Sequence, residues 1–298
     1  MTADGVLVLA GPTGSGKTEL AISLARTFGA EIVGADSRQI YRGMTIGTAA
    51  PSAPQRAAVP HHLVEFLDPA ERYSAARYAR DALRAIREIR ARGRRVIVAG
   101  GTGFYVRALT GGVELAPQYD PALRLRLARE ARAHPAEFLH QWLAVRDAGR
   151  AAALAPHDAY RVLRALEIAL APESRERSGA TDSLPGAGIA FLKVFADVPN
   201  AELDARIERR TGEMLEGGIV EEAERIGERA AAADAVGYPQ ALAYLRGWCT
   251  RDELRELLAR ATRRYARRQR SWFRREPGTL WLAPGEVEGA VREMLGWA

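Results

Sequence analysis

The sequence predicts an α/β protein built on a doubly wound parallel sheet, interrupted by a helical insertion. Three observations predict it. Short apolar runs alternate with amphipathic stretches over residues 6–113. The pattern then turns Ala-, Arg- and Leu-rich with helical periodicity and no clear strand over 121–170. Strand character returns from Ile189. The expected division is a core of 1–113 and 189–298 around an insertion of 114–188.

The elements follow in order. Val6–Ala10 is an apolar run ending at glycine, as a buried parallel strand does. Thr18–Phe28 has helical spacing of Leu20, Ile22, Leu24, Ala25 and Phe28. Glu31–Ala35 reads as a second strand and Leu63–Leu67 as a third. Ser74–Arg92 reads as a long helix capped by Ser74 and stopped by Gly93. Arg95–Ala99 is another buried strand, ahead of Gly100-Gly101. Residues 171–188 are polar and rich in Gly, Pro and Ser, and read as a loop or hinge. Ile189–Val198 is a strand. Asn200–Leu215 is a helix with a good N-cap and a Gly217-Gly218 stop. Asp252–Glu276 is a strongly basic helix, and Thr279–Leu282 a last strand.

Composition narrows the function classes. No apolar run reaches the roughly 18 residues of a membrane helix. Met1–Ala10 lacks the basic leader of a signal peptide. A lone cysteine, Cys249, excludes an internal disulfide framework and suits a reducing compartment. A cytoplasmic monomer without membrane contact is the expectation. Basic residues outnumber acidic ones, 43 to 37, which points to an anionic partner. Nearly all of the basic residues are arginine. Lysine stands only at Lys17 and Lys193, so a lysine at a demanding position is informative.

Lys17 is at such a position. Gly11-Pro12-Thr13-Gly14-Ser15-Gly16-Lys17-Thr18 fits the P-loop pattern G-x-x-x-x-G-K-[ST]. Its glycines let backbone N–H groups converge on phosphate oxygens, and the helix that follows adds its positive end. Lys17 neutralises the terminal phosphate, and the Thr18 hydroxyl can hold Mg²⁺. The fold class is therefore P-loop NTPase-like, and the site takes a di- or triphosphate. Gly11, Thr13, Gly14, Ser15, Gly16, Lys17 and Thr18 are the diphosphate-binding candidates. An ordinary NTPase presents an acid at the end of an apolar strand. Here that strand ends in Gly100-Gly101-Thr102, and the strand-end acid is Asp36. Strand ends face the ligand crevice of a doubly wound sheet, so Asp36, Thr102 and Lys17 are expected to converge. A small-molecule kinase and a nucleotide-gated RNA-binding protein both remain open on these residues.

A longer set of motifs goes further. Asp36-Ser37-Arg38-Gln39-Ile40-Tyr41-Arg42-Gly43-Met44, Ile46-Gly47-Thr48-Ala49, Pro60-His61-His62-Leu63 and Gly100-Gly101-Thr102-Gly103-Phe104-Tyr105 follow the P-loop. Arg161-Val162-Leu163-Arg164-Ala165-Leu166-Glu167, Gly237-Tyr238 and Arg268-Gln269 before Ser271-Trp272-Phe273 complete the series. Together they resemble the tRNA dimethylallyltransferase family over nearly the whole chain. Two departures stand out. Ala50 occupies the place of the family's usual lysine in Thr-Ala-Lys-Pro, so that lysine's role is absent or filled by an arginine. The stretch after Glu167 also lacks the family's Ser-Gly-Lys type turn.

The resemblance implies a reaction. The P-loop would hold the diphosphate of dimethylallyl diphosphate, with Mg²⁺ on Thr18. The acceptor would be N6 of the adenosine immediately 3′ of the tRNA anticodon. Asp36 would take the N6 proton. Lys17 and Arg210 would stabilise the leaving diphosphate, and Thr102 would position diphosphate or adenosine. Asp36, Ser37, Arg38, Gln39 and Thr102 would read the target base, which must leave its stack. Arg124, Tyr160, Arg161 and Arg164 of the insertion would clamp the anticodon stem-loop, with Arg268 and Gln269 contacting RNA from the basic helix. His61 and His62 lack metal-ligand company, and His61 reads as structural.

Overall fold

The computed structural model describes residues 5–112, 120–170, 182–228 and 230–298. The chain divides into two compact units, one formed by 1–113 with 181–298 and one by 114–180. The second unit is therefore shorter than the sequence predicts. Residues 182–188 belong to the core because Leu184 is fully buried there and its N–H donates to the Leu109 carbonyl.

The first unit begins with β1 (Val6–Ala10), α1 (Lys17–Phe28), β2 (Ala30–Gly34), α2 (Thr45–Thr48), α3 (Ala53–Ala58), β3 (His61–His62), α4 (Ala75–Ala91), β4 (Arg95–Gly100) and α5 (Gly103–Leu109). The second unit holds α6 (Pro121–Ala133), α7 (Ala136–Arg146), α8 (Ala148–Ala152) and α9 (Ala159–Ala169). The first resumes with β5 (Phe191–Ala196), α10 (Asn200–Glu216), α11 (Ile219–Ile226), α12 (Tyr238–Leu245), α13 (Arg251–Phe273), β6 (Thr279–Leu282) and α14 (Val287–Leu295).

Six parallel strands form one sheet in the order β3-β2-β4-β1-β5-β6. Both faces of the sheet are covered. Leu7, Leu9, Ile32, Ile97, Leu192 and Val194 pack with α1 and α14 in one core. Val6, Val8, Val33, Val96 and Val98 alternate with them, so they face the other way, and all are buried. The helix α4 covers that second face, packing on β2 and β4. Its amphipathic stripe buries Tyr78, Ile86 and Ile89 completely. Ser74 caps it, accepting the Arg77 N–H at 3.1 Å, and Gly93 leaves it at φ 70°.

The connection from β1 runs one way across the sheet and that from β4 the other, with β1 and β4 adjacent. Loops that diverge from neighbouring strand ends open a crevice between them, the usual ligand position in such folds. The close approach at this point has a signature. A Cβ at Gly100 would stand 2.1 Å from the Ala35 carbonyl oxygen, which is backbone and cannot step aside.

Three sequence expectations change. Residues 63–67 form no strand, because Leu63 and Glu65 have φ of 57° and 49°, breaking extended geometry. The edge strand is instead His61–His62, and only Leu67 makes an isolated bridge, to Tyr41. Asn200 is the first helical residue of α10 rather than its cap; Pro199 holds the cap position without a side-chain bond. The basic helix runs Arg251–Phe273, opened by a Thr250–Glu253 capping box.

The second unit is a small helical body around Leu127, Leu139, Leu143, Val162 and Leu166. Asp120, Asp147 and Asp158 cap α6, α8 and α9 by accepting backbone N–H groups. No helix of the described residues is long and apolar enough to cross a membrane.

Candidate active site

The P-loop turns through two left-handed glycines, Gly14 at φ 84° and Gly16 at φ 81°. Gly16 sits at the N-cap of α1, and no side chain caps that end. The first-turn N–H groups therefore face the crevice, where an anion is favoured. The Ser15 hydroxyl is buried without a hydrogen-bond partner among the described residues. A buried polar atom left so is costly, and an oxygen-rich ligand would relieve it.

The helix α10 lies along this loop. Leu203 and Ile207 pack against Gly14, leaving 3.2–3.3 Å for any Cβ there. Arg206, Arg209 and Arg210 follow at helical spacing on the same side. Arg206 donates to the Ser15 carbonyl at 2.7 Å, and Arg210 donates through Nη1 to Thr13 Oγ1 at 2.9 Å. The Nε of Arg210 is buried and has no partner among the described residues. Burial lowers the pKa of both Lys17 and Arg210 from their ordinary values. Asp36 opposes the shift in each case, and Arg210 adds to it at Lys17. The site thus holds concentrated positive charge, offset first by Asp36 and then by Glu19.

Asp36 follows β2 directly. Its Oδ1 accepts the Arg38 N–H at 2.9 Å, a tight Asp-initiated turn. Thr102, just beyond β4, accepts the Ser37 N–H at 2.9 Å and donates to Ser37 Oγ at 3.2 Å. The two strand-end loops are thereby fixed to each other. Gln39 donates to the carbonyls of Thr48 and Ala49 at 3.2 and 3.0 Å, holding the next segment.

Two cavities meet here. One of about 680 Å³ is lined by Thr13–Glu19, Asp36, Gln39, Thr48–Ala50 and the three arginines of α10, among others. One of about 300 Å³ is lined by Asp36–Arg38, Gly47, Met214, Ala235, Val236, Tyr265 and Arg268, among others. Thr13, Asp36, Thr48 and Arg210 line both. The wall between the P-loop space and the smaller one is therefore an acid, an arginine and two threonines. Burial raises the pKa of the Tyr265 phenol, with the Asp36 charge adding to it, so it stays neutral beside that acid.

The expected residues thus fall into three groups. The P-loop, Asp36, Ser37, Thr102 and Arg210 come together, and Arg38 and Arg268 line the smaller cavity. Arg38 also pairs with Asp234 at 2.9 Å. Arg124, Tyr160, Arg161 and Arg164 lie in the helical unit. There the buried carboxylate of Glu167 holds Arg164 at 2.8 Å and Arg124 at 3.7 Å. Tyr160 is 65% exposed at the start of α9. Expected to contact RNA, Gln269 is buried, accepting the Thr13 N–H at 2.8 Å and donating to the Gly101 carbonyl at 2.9 Å. The inward face of α13 takes it because Thr262, Ala266 and Phe273 share its stripe. Arg263 and Arg270 are likewise engaged, with Glu208 and Asp197, while Arg260, Arg264, Arg267, Arg268, Arg274 and Arg275 are exposed. The histidines are structural: His61 bonds the Val59 carbonyl and His62 the Glu31 carboxylate, both at 2.7 Å.

Sequence reasoning missed Arg206 and Glu222. Arg206 carried a signal, since it leads Arg210 by four residues on one helix face. Glu222 carried none: it is 1% exposed and accepts the N–H groups of Ile46 and Gly47 and the Tyr238 hydroxyl at 2.7–3.0 Å. It anchors the segment that ends in Thr48–Ala50. Ala50 itself lines the larger cavity, where Arg206, Arg209 and Arg210 supply the cations. The absent Ser-Gly-Lys turn after Glu167 lies outside the described residues.

Comparison with known proteins agrees with this geometry. The family model for IPP transferase matches residues 39–276. A tRNA dimethylallyltransferase from Anaeromyxobacter sp. (strain K) is 47% identical over 300 residues, 97% of each chain. One from Myxococcus xanthus is 47% identical over 287 residues, 93% of this chain and 92% of that one. The crystal structure of a full-length tRNA isopentenylpyrophosphate transferase from Bacillus halodurans superposes with TM-score 0.71 at 32% identity, covering 98% and 97% of the two chains. A P-loop sheet whose crevice is walled by Asp36 and Arg210, matched this fully in sequence and fold, places the chain in the IPP transferase family, among the tRNA dimethylallyltransferases.

Proposed function

We propose that this chain transfers a dimethylallyl group from dimethylallyl diphosphate to N6 of the adenosine 3′ of a tRNA anticodon. The observation that carries the reading is the shared wall of the two cavities. The diphosphate would occupy the larger space, against the P-loop amides, Lys17 and Arg210. The adenine and the allylic carbon would meet in the smaller one. Asp36 belongs to both and so faces the bond that forms.

The chemistry then follows. N6 attacks the allylic carbon as the carbon–oxygen bond to diphosphate breaks. Adenine N6 is a poor nucleophile, since its lone pair is delocalised into the ring. Asp36 accepts its proton as the carbon–nitrogen bond forms. The bond electrons leave with the diphosphate, whose growing charge meets Lys17, the loop N–H groups and the Arg210 guanidinium. Arg210 is already oriented by Thr13 Oγ1, with its Nε left for a phosphate oxygen. Thr102 keeps the Asp36–Ser37 turn in place.

The residues fit a magnesium ion. Thr18 lines the diphosphate cavity together with the carboxylate of Glu19, and hard oxygen donors of this kind suit Mg²⁺. When bound, it would hold diphosphate oxygens and neutralise part of their charge. The exposed arginines of α13, and Arg124, Tyr160, Arg161 and Arg164 of the helical unit, are proposed to hold the RNA through phosphate contacts and stacking. The kinase reading has less support, since the apolar strand β4 ends in glycines rather than an acid.

The test is release of pyrophosphate from dimethylallyl diphosphate with and without tRNA. Release that depends on tRNA supports the transfer. Phosphate transfer from ATP to a small metabolite, with no tRNA-dependent pyrophosphate, would return the site to the kinase reading.

A further inference from the structure

Gln269 lies on the helix that carries the exposed arginines, yet its side chain points inward and is 4% exposed. Its Oε1 accepts the Thr13 N–H at 2.8 Å and its Nε2 donates to the Gly101 carbonyl at 2.9 Å. Three segments remote in sequence meet on this one amide: the phosphate loop, the end of β4 and the last turns of α13. The fit has no slack. A Cβ on Gly101 would stand 2.1 Å from Gln269 Nε2 and 3.2 Å from the Gly11 carbonyl oxygen.

Both bonded segments lead straight to reacting groups. Thr13 orients Arg210 at 2.9 Å. Gly101 precedes Thr102, which holds Ser37, the neighbour of Asp36. The amide therefore spans the half of the site that meets the diphosphate and the half that meets the base.

We propose that Gln269 is a positioning residue of the transfer reaction: it sets the Thr13 end of the phosphate loop against Thr102, so that Arg210 and Asp36 face one reacting centre. This rests on the diphosphate lying in the P-loop. The chemistry needs one acceptor and one donor on a single planar group. Glutamate keeps the acceptor for Thr13 but sets a carboxylate oxygen against the Gly101 carbonyl. Methionine has nearly the same length and offers neither bond. Two buried backbone groups would then be unsatisfied, and the loop would shift to reach other partners.

The experiment compares Gln269→Met and Gln269→Glu with the unaltered protein. It measures kcat and donor KM at saturating tRNA, pyrophosphate affinity, and tRNA affinity by filter binding. The expected result is a fall in kcat of about tenfold or more, as small misplacements of reacting groups produce. Affinity for tRNA should stay within about twofold, since the exposed arginines are untouched. A large loss of tRNA affinity with unchanged kcat would overturn the proposal and make Gln269 an RNA contact. Folded variants with unchanged kcat and KM would overturn it as well.

A second measurement does not depend on the variants folding. In the unaltered protein the Thr13 amide should exchange its hydrogen far more slowly than solvent-facing amides, and exchange as fast as theirs would refute the bond itself. Lys17→Ala separates the two claims. Pyrophosphate binding that survives that change would remove the P-loop reading, whatever Gln269 does. Its loss, alongside ordinary kinetics in Gln269→Met, would remove only the positioning role.

Discussion

Replacing Asp36 by asparagine separates its chemical role from its structural one. Asn keeps an oxygen at the Oδ1 position, so the 2.9 Å bond from the Arg38 N–H survives and the turn should hold its shape. What is lost is the charge and the proton acceptor. Loss of a general base costs about a hundredfold or more in turnover, or roughly 3 kcal/mol of transition-state stabilisation. The electrostatic effect on the donor has the opposite sign. Asp36 is the foremost of the anions that offset burial at both Lys17 and Arg210, with Glu19 beside it. Removing it leaves those cations less compensated, so the diphosphate should bind more tightly. One unit charge at about 10 Å, in an effective dielectric constant of about 20 to 40, contributes on the order of 1 kcal/mol, or roughly fivefold. The variant should therefore show a kcat at least about a hundredfold lower with unchanged or tighter pyrophosphate binding. Single-turnover transfer and calorimetric titration with pyrophosphate measure the two quantities separately. Near-normal single-turnover rates would refute the assignment of Asp36. Pyrophosphate affinity weakened along with the rate would refute the charge argument.

Other consequences follow from the same geometry. Arg210→Lys keeps the charge but loses the fork that reaches Thr13 Oγ1; kcat/KM should fall by about ten- to a hundredfold in steady-state assays, with thermal stability little changed. Glu222→Gln has one carbonyl oxygen for three donors and should lower unfolding free energy by about 2 kcal/mol in urea titrations, and Glu222→Ala by about 3 kcal/mol or more. Equal stability of all three proteins would show that the Ile46–Gly47 anchor carries no weight. Lys17 has a folded-state pKa below its ordinary 10.5, so between those values the unfolded chain binds more protons. The group's destabilising contribution, full at lower pH, is relieved as pH rises through that window. Bound pyrophosphate should erase the trend by raising the folded pKa, which thermal melts at stepped alkaline pH will show.

The legible and illegible parts of this protein divide along physical lines. The buried strands and amphipathic helices could be read because burial on both sheet faces demands continuous apolar runs, and one-sided burial demands a 3.6-residue stripe. The segment after His62 misled for the same reason: Leu63–Leu67 is apolar enough for a strand, but left-handed residues at Leu63 and Glu65 bend it. The convergence of the P-loop and Asp36 was legible because local spacing and strand-end position bring both to one crevice. Gln269 was expected at the RNA from the resemblance alone, and nothing local in the sequence shows which way it faces. Only the tertiary fold shows that its stripe is the one carrying Ala266 and Phe273. Glu222 was invisible because its partners are backbone N–H groups about 175 positions away, and no local pattern announces them.

The central claim is that one crevice brings an allylic diphosphate and a tRNA adenine together across Asp36. Labelled dimethylallyl diphosphate, Mg²⁺ and an unmodified tRNA with adenosine 3′ of the anticodon test it directly, by counting label in the RNA. Incorporation that disappears when that single adenosine is replaced is the expected result. Label that persists after the replacement, or no label at all with pyrophosphate bound tightly, would contradict it.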